Sequence, residues 1–441
     1  MTNSRAGGRN STANSRAGSN HGMTRTGGNA SAGRSAMRPA PGRQVSLRGG
    51  GTANIRPNGQ IRSVNRNGMH IEHGLNGSRR IESTHNGARI VSTGKGSGYV
   101  QRSYATRNGV SYVSRTTVIN HVSYTSVYRS YSYGGYCCYY GYHPAFFFAP
   151  VFYGWAFNPW PAPVYFGWGW GAAPWYGYYG WYFAPYPVYP SAAFWLTDYL
   201  IAANLEAAYA ARAAANDAAA NDAPPSSGGG NASASGGNSG SVTLTPEVKQ
   251  AIAEEVKAQL AEQQAQAGSQ NQASSGDQAS SGAPQPQPTS EQVPPALDPA
   301  RRTFIVSTDL AVNSDGTECQ LTQGDVLTRI SDTPDQDRKV IASVSASKTS
   351  DCAAGKQVAV GVDDLQEMHN HFQEQLDKGM KELASKQGTS GLPKAPDTST
   401  TASDVPPPAP DPSADKALEQ QQANADQTEA QVVKEAFSQG S

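Results

Sequence analysis

The sequence predicts a mosaic, largely disordered chain. The ordered parts expected along the chain are a short-strand β-meander or solenoid-like array, an aromatic Gly/Pro-rich segment, isolated helices and a small β-barrel with a C-terminal helix. Three observations lead to this fold class. The 441 residues include 46 Gly and 29 Pro, and 16% are charged, against about a quarter in an average soluble protein. Of the 39 aromatic residues, 36 lie between Tyr99 and Tyr209. Finally, opposite charges are gathered at opposite ends of the chain.

The basic and acidic residues occupy different halves of a chain whose formal net charge is zero. Residues 1–130 carry 18 Arg and one Lys against only Glu72 and Glu82, which leaves a charge of +17. Residues 198–441 hold the other 16 basic residues and 33 acidic ones, so their charge is −17. This segregation indicates that the chain meets partners, or itself, through opposite charges.

Residues 1–50 form a basic arm of Gly, Arg, Asn and Ser. We expect the arm to be disordered because it has almost no large apolar side chain to bury. Nucleic acid, an anionic polysaccharide and a membrane surface all suit such an arm as partners, and a solvated arm without a partner is the alternative. The N-terminus lacks the apolar core of a signal peptide, and no Pro-free apolar run of about 20 residues is present. Taken alone, these features favour a cytoplasmic protein without a membrane-spanning segment.

Residues 51–130 contain a repeat of Asn-Gly dipeptides. Asn-Gly favours two-residue hairpin turns, because both positions of such a turn need a positive φ. Weakly apolar residues alternate with polar ones between the dipeptides, as in short strands. An Asn-Gly β-hairpin array is therefore predicted, either a meander or a solenoid-like stack. The dipeptides begin at Asn58, Asn67, Asn76, Asn86 and Asn108.

Residues 131–195 form an uncharged segment rich in Tyr, Trp, Gly and Pro. Gly and Pro exclude a long helix, while the rings supply a large contact area with a polar tip on Tyr and Trp. Such a segment covers the hairpin array, lies at a membrane interface, stacks on carbohydrate or self-associates. The candidate interaction residues are Trp155, Trp160, Tyr165, Trp168, Trp170, Trp175 and Trp181.

Two isolated helices are predicted between flexible linkers. An Ala-rich helix over 192–216 carries an apolar stripe that includes Leu196 and Leu200. A second helix over 245–266 begins with Thr245 as its N-cap and Pro246 in the first helical position. The linkers are residues 217–244 and 267–299, which are rich in Gly, Ser, Pro and Gln.

Residues 300–365 are predicted to form a small domain. Five or six short apolar runs, separated by turn signals such as Asp315-Gly316, fit a small β-barrel. An amphipathic helix over 363–387 follows and is expected to pack back on the barrel. The Pro-, Ser- and Thr-rich residues 388–441 are expected to form a disordered tail, with a weak Gln/Ala helix near Leu418–Phe437.

Cysteine placement bears on the redox compartment. Cys319 and Cys352 both lie in the predicted small domain, 33 positions apart, and a disulfide between them would add about 3–4 kcal/mol on the chain-entropy model. The alternative is two unpaired thiols. The adjacent Cys137 and Cys138, even with His143, lack the ligand spacing of a zinc site.

Some segments resemble known bacterial proteins. The run CQLTQGDVLTRIS has the Leu-x-x-Gly-Asp-x-Leu pattern of a diverging turn, so the small domain resembles a bacterial SH3-like β-barrel. The run from Tyr165 to Gly171 resembles the Tyr-x-Trp-Gly-x-Trp segments of uncharacterised bacterial envelope proteins, although Gly167 and Trp168 stand in swapped order. Together with the Asn-Gly array, residues 50–390 are similar to uncharacterised envelope or secreted proteins. The resemblance implies an architecture and a compartment but no activity.

The sequence predicts no catalytic residue, no cofactor and no metal site, because no nucleophile elbow, phosphate-binding loop or dinucleotide fingerprint is present. The leading hypothesis is a non-enzymatic scaffold of the cell envelope or extracellular space. It would self-associate through aromatic residues and display the SH3-like domain to a protein or a cell-wall polymer. The alternatives are a nucleic-acid-binding protein that uses the basic arm, and a binder of polysaccharide or peptidoglycan that uses Tyr and Trp.

Overall fold

A computed structural model describes residues 42–94, 97–119, 121–222, 243–275 and 291–437. These residues form mostly antiparallel β-structure with a few helices. The strands are β1 Arg43–Ser46, β2 Thr52–Ile55, β3 Ile61–Arg66, β4 Met69–His73, β5 Arg79–His85, β6 Ala88–Gly94, β7 Ser97–Arg107, β8 Val110–Ile119, β9 Val122–Tyr133, β10 Tyr136–His143, β11 Phe146–Phe148, β12 Thr303–Ile305, β13 Leu310–Ser314, β14 Thr317–Leu321, β15 Val326–Arg329, β16 Lys339–Ala346, β17 Gln357–Gly361 and β18 Thr400–Ala402. The helices are α1 Pro150–Phe157, α2 Pro174–Tyr179, α3 Ala192–Asp222, α4 Pro246–Ser275, α5 Val362–Lys386 and α6 Ala414–Phe437, with short 3-10 helices at Trp170–Ala172 and Pro295–Leu297.

Strands β1 to β10 form one antiparallel sheet in which each strand pairs with the next along the chain. The hairpin array is therefore a meander and not a solenoid. It is also longer than the predicted 51–130. Strand β1 lies within the basic arm, which was expected to be disordered. Residues 1–41 of this arm are outside the described residues. Strands β9 and β10 extend into the predicted aromatic segment, because their Tyr side chains suit a pleated surface as well as a packed core.

The Asn-Gly dipeptides make two kinds of turn. At Asn67, Asn86 and Asn108 both the Asn and its Gly have positive φ, as two-residue hairpin turns require. At Asn58 and Asn76 only the Gly has positive φ, and the Asn side chain instead accepts a hydrogen bond from the backbone N–H two residues later, at 3.0 and 3.1 Å.

The two faces of the meander differ, because successive side chains of a strand point to opposite sides. One face is apolar and is covered by α6, whose Leu418, Ala425 and Val432 are buried against it. The weak helix predicted near 418–437 corresponds to α6. The disorder predicted for the rest of the tail is wrong where β18 pairs with β11. A weakly amphipathic helix shows little pattern in sequence, and it becomes ordered here because an apolar sheet face lies beneath it.

The aromatic segment packs on helices, not on the meander face. Its rings, together with buried residues of α3, α4 and the second half of α5, form the largest apolar core, which we call the aromatic core. The helices predicted over 192–216 and 245–266 correspond to α3 and α4. Both run into residues predicted as linkers, since Ala, Gln and Ser continue a helix without difficulty. Residues 223–242 and 276–290 of the predicted linkers lie outside the described residues. Residues 291–299 are described, and they include a 3-10 helix whose Ala296 and Leu297 are buried, so the linker prediction is wrong there.

Strands β12 to β17 form a six-stranded antiparallel sheet in the order β12-β15-β16-β17-β13-β14, which we call the small sheet. No barrel is closed among the described residues, so the predicted barrel is wrong in that respect. Helix α5 starts directly after β17 and buries Val362, Leu365 and Met368 in the core of this sheet. The helix thus covers one side of the sheet. Farther along, Phe372 and Leu376 of the same helix enter the aromatic core. Of the described helices, none is long and apolar enough to cross a membrane.

Candidate functional site

The polar face of the meander carries a cluster of Arg, Glu and Tyr side chains that meets α5. Strand alternation brings Arg80, Arg89, Tyr99 and Arg115 of neighbouring strands to this face. Acidic residues of α5 lie opposite them at Asp364, Glu367, Glu374 and Asp377, and spacings of three and seven positions put them on one stripe of the helix. We call this contact the charged interface.

Arg115 is the most enclosed arginine of the charged interface, with 3% of its side chain exposed. Its guanidinium carbon lies 3.9 Å from the ring centre of Tyr99 and 4.0 Å from that of Tyr128. Two of its nitrogens donate to Glu367 of α5 at 2.6 and 2.9 Å, and Gln101 accepts two further bonds. Burial alone would raise the pKa of Glu367, but the attraction of Arg115 holds that pKa below its usual range. All three guanidinium nitrogens of Arg115 therefore donate hydrogen bonds to partners inside the fold.

The same stripe of α5 continues the contact on both sides. Arg80 donates to Asp364 at 3.0 Å, and the hydroxyls of Tyr128 and Tyr142 donate to Glu374 and Asp377. Burial raises the pKa of Asp364 and that of Asp377 to about 6. Each of these carboxyl groups accepts a hydrogen bond from a side chain of the meander, so together they join α5 to the sheet.

Helix α6 and the small sheet supply further acidic partners to the meander. His73 and Arg79 contact Glu429 at 2.8 and 3.1 Å, and Arg66 contacts Glu435 at 3.1 Å. Among the described residues, seven arginines of the basic half pair with acidic residues of the C-terminal half: Arg56, Arg62, Arg66, Arg79, Arg80, Arg102 and Arg115. The opposite charges of the two halves thus meet within one chain.

The residues predicted as an aromatic interaction segment are mostly internal. Trp160 and Trp175 are buried, while Trp155, Trp168 and Trp170 are half-buried in the aromatic core. Only two of the seven are well exposed, Tyr165 at 78% and Trp181 at 40%. The segment therefore serves first as the interior of the molecule and reaches the surface at two rings.

Sequence reasoning missed the centre of the aromatic core, Trp195. Its ring is fully buried and stacks on Trp168 at 4.6 Å between ring centres, and Trp168 stacks on Trp170 at 4.2 Å. On the other side Trp195 stacks on Tyr199, one helical turn later in α3. The spacing of Trp195 and Tyr199 on a predicted helix was the signal that could have found it.

Cys319 and Cys352 are bonded to each other, as the sequence predicts. Their Cα atoms lie 5.2 Å apart, and both residues are buried in the core of the small sheet. Cys137 and Cys138 at the start of β10 also lie within disulfide distance of each other. His143 does not join them, because its Nε2 lies 2.6 Å from Ser403 Oγ and 3.2 Å from Asp404.

Two further polar groupings were not predicted. His121, Asp415 and Glu419 place their ligand atoms within 4.8 Å of one another at the surface. An open hollow of ≈ 470 Å³ over β3 to β5 contains His70, whose ring contacts Asn65 at 2.6 Å and Glu72 at 3.1 Å. The hydrogen bond to Glu72 raises the pKa of His70. Both groupings join residues whose proximity depends on strand pairing or on the docking of α6.

Comparison with protein-family models, curated proteins and solved structures finds no match to this chain.

Proposed function

We propose that this chain is a non-enzymatic scaffold of the cell envelope or extracellular space, which self-associates through exposed aromatic rings. The exposure of Tyr165 and Trp181 on the rigid aromatic core carries the proposal. A ring whose neighbours are fixed by packing loses little conformational entropy when a partner covers it, so it binds efficiently. In this proposal the small sheet is an SH3-like domain that is displayed to a protein or cell-wall polymer.

The Cys319–Cys352 disulfide supports the proposed compartment. Structural disulfides persist in oxidising environments, whereas cytosolic thiols are normally kept reduced. A buried bond of this kind in the small sheet supports an envelope or extracellular location.

The test replaces both exposed rings in Tyr165→Ser/Trp181→Ser and follows sedimentation velocity at several protein concentrations. We expect the wild type to form larger species as concentration rises, and the double variant to remain small. Val151→Ser is the matched control, because Val151 is an exposed apolar residue without a ring. Equal sedimentation of wild type and double variant would overturn self-association through these rings.

Polysaccharide binding is a second candidate, favoured by the openness of Tyr165. Sugars stack on exposed ring faces, and a ring that is 78% exposed offers such a face. The same variants distinguish this candidate in a pull-down with insoluble peptidoglycan. Retention of the wild type and loss of the double variant would support it, even where sedimentation is unchanged.

Nucleic-acid binding keeps only the arm as its basis. The arginines paired at the charged interface and beneath α6 already have acidic partners. Residues 1–41, with six Arg and no acidic residue, lie outside the described residues. Deleting these residues should abolish any salt-sensitive binding to RNA or DNA, and a full chain that binds neither at low salt excludes this function.

A further inference from the structure

One lysine and one aspartate meet inside the aromatic core. Asp198 lies in α3 and Lys249 in α4, and Lys249 Nζ is 2.9 Å from Asp198 Oδ1. The two side chains are 0% and 8% exposed. The contact is therefore shielded from water and joins two separate helices.

Aromatic rings and one carbonyl fix the position of the amine. Lys249 Nζ lies 3.7 Å from the ring centre of Tyr186 and 5.2 Å from that of Phe183. It also donates a hydrogen bond to the carbonyl oxygen of Ala184 at 2.7 Å. The amine is thus held against the carboxyl group with little freedom to turn away.

The two oxygens of Asp198 have different surroundings. Oδ2 accepts hydrogen bonds from the backbone N–H of Tyr186 at 2.5 Å and from the hydroxyl of Tyr189 at 2.7 Å. The Tyr189 hydroxyl in turn accepts a bond from Trp168 Nε1 at 2.6 Å. Among the described residues, Oδ1 has no partner other than Lys249. Two fixed donors on one oxygen are the arrangement that stabilises negative charge on a carbonyl oxygen under attack.

Burial favours the uncharged forms of both groups. It raises the pKa of Asp198 and lowers the pKa of Lys249, although each group's attraction for the other opposes the shift. A neutral amine is the nucleophilic form of lysine, and a neutral carboxylic acid is the form that can lose water.

We propose that Lys249 and Asp198 condense to an intramolecular amide bond that cross-links α3 and α4. The nitrogen of Lys249 forms a bond to Asp198 Cγ while the donors on Oδ2 hold the developing oxyanion. The Cγ–Oδ1 bond then breaks, and Oδ1 leaves as water with its own proton and one proton from the amine. No oxidant, reductant or other reactant takes part.

A second buried pair in the same molecule shows what distinguishes this one. Lys348 Nζ lies 2.7 Å from Asp325 Oδ1, and both side chains are buried. There, however, the backbone N–H of Lys348 also donates to Oδ1, and Thr322 donates to Oδ2. Hydrogen bonds to both oxygens leave neither oxygen of Asp325 free to leave as water, so we propose no condensation for this pair.

The test is the mass of the denatured, reduced full-length protein. We expect the wild type to be lighter than its sequence by one water, and Lys249→Arg and Asp198→Ala to have their full sequence masses. Trypsin should release one branched peptide that joins residues 130–212 to 213–257, because a modified Lys249 is no longer cleaved. A wild type of full mass overturns the proposal whether or not the variants fold. So does a water loss that persists in Lys249→Arg, which would indicate dehydration elsewhere, as at Asp315-Gly316.

Discussion

The aromatic core and the charged interface are two solutions to the same problem, the joining of chain segments into one body. The core is built largely from neutral rings of one contiguous stretch, from Phe147 to Trp195. The interface joins residues far apart in the sequence, such as Arg115 and Glu367, which are 252 positions apart. An apolar ring can pack against many different apolar neighbours, whereas a buried charge needs an opposite charge at one position. The aromatic core therefore determines which residues are buried, and the charged interface determines which segments lie next to each other.

The largest expected effect is on the core. Replacing Trp195 by Ala removes the ring between Trp168 and Tyr199 and leaves a cavity, which should lower the free energy of unfolding by about 3–5 kcal/mol. Chemical denaturation measures this loss, which should not depend on salt. Trp181→Ala is the control, and an equal loss in both variants would mean that burial does not decide the effect.

At the charged interface, Arg115→Met should lower the free energy of unfolding by a similar amount, about 3–5 kcal/mol, because the carboxylate of Glu367 would stay in place without its partner. The double variant Arg115→Met/Glu367→Gln should recover part of this loss, since no uncompensated charge remains. Denaturation of both variants checks this, and Trp195→Ala should show no such recovery with Glu367→Gln. A double variant less stable than Arg115→Met would contradict the pairing.

The Cys319–Cys352 bond provides a reference that depends on neither ring packing nor ion pairs. Reducing the Cys319–Cys352 bond, or replacing both residues by Ser, should destabilise the small sheet by about 3 kcal/mol. Hydrogen exchange in β12 to β17 with and without reductant measures the change. The control is Cys137→Ser/Cys138→Ser, and identical protection of oxidised and reduced protein would remove the chemical argument for an oxidising compartment.

A smaller effect should appear on acidification. Burial, with Arg301 nearby, lowers the pKa of His369 from 6.5 to about 3. The unfolded chain therefore binds a proton below about pH 6.5 that the folded chain refuses, so this residue makes stability fall as pH decreases from there towards 3. His369→Gln should make the fall shallower by up to one proton, measured as the slope of unfolding free energy against pH. The exposed His85→Gln is the control, and an unchanged slope in His369→Gln would refute the assignment.

The smallest effect concerns single ion pairs at the surface. Arg102 and Asp411 lie 3.0 Å apart with 43% and 23% of their side chains exposed, and such pairs are worth only ~0–1 kcal/mol. Arg102→Gln should therefore hardly change the melting temperature. High salt, which weakens the exposed pairs beneath α6 together, should increase hydrogen exchange in α6 and leave α3 unaffected. Equal changes in both helices would erase the difference between the two regions.

Several parts of the fold follow from local sequence. The Asn-Gly turns depend on backbone preferences of two residues, and the meander's hairpins were predicted from them. The stripe with Leu196 and Leu200 and the N-terminal signals at Thr245 and Pro246 likewise placed α3 and α4. The Cys319–Cys352 bond was predicted because two cysteines fell within one short domain.

Other features were predicted wrongly or missed. Only a weak helix was expected in the tail, and α6 is ordered because the apolar face of the meander buries Leu418 and Val432. The barrel was expected to close, but α5 covers its sheet instead. The partners of Arg115 and the meeting of Asp198 with Lys249 gave no sequence signal, since neither pair has a spacing that marks it.

The sequence by itself determined turn positions, helices, the disulfide and the separation of charge, because each depends on residues near one another or on composition alone. Only the tertiary structure decided which face of the meander each helix covers, which rings stay exposed and which acid meets which arginine. Those outcomes depend on packing between segments up to about 370 positions apart, as in Arg66 with Glu435. Many alternative pairings of opposite charges share the same composition, and shape complementarity between packed segments selects one of them.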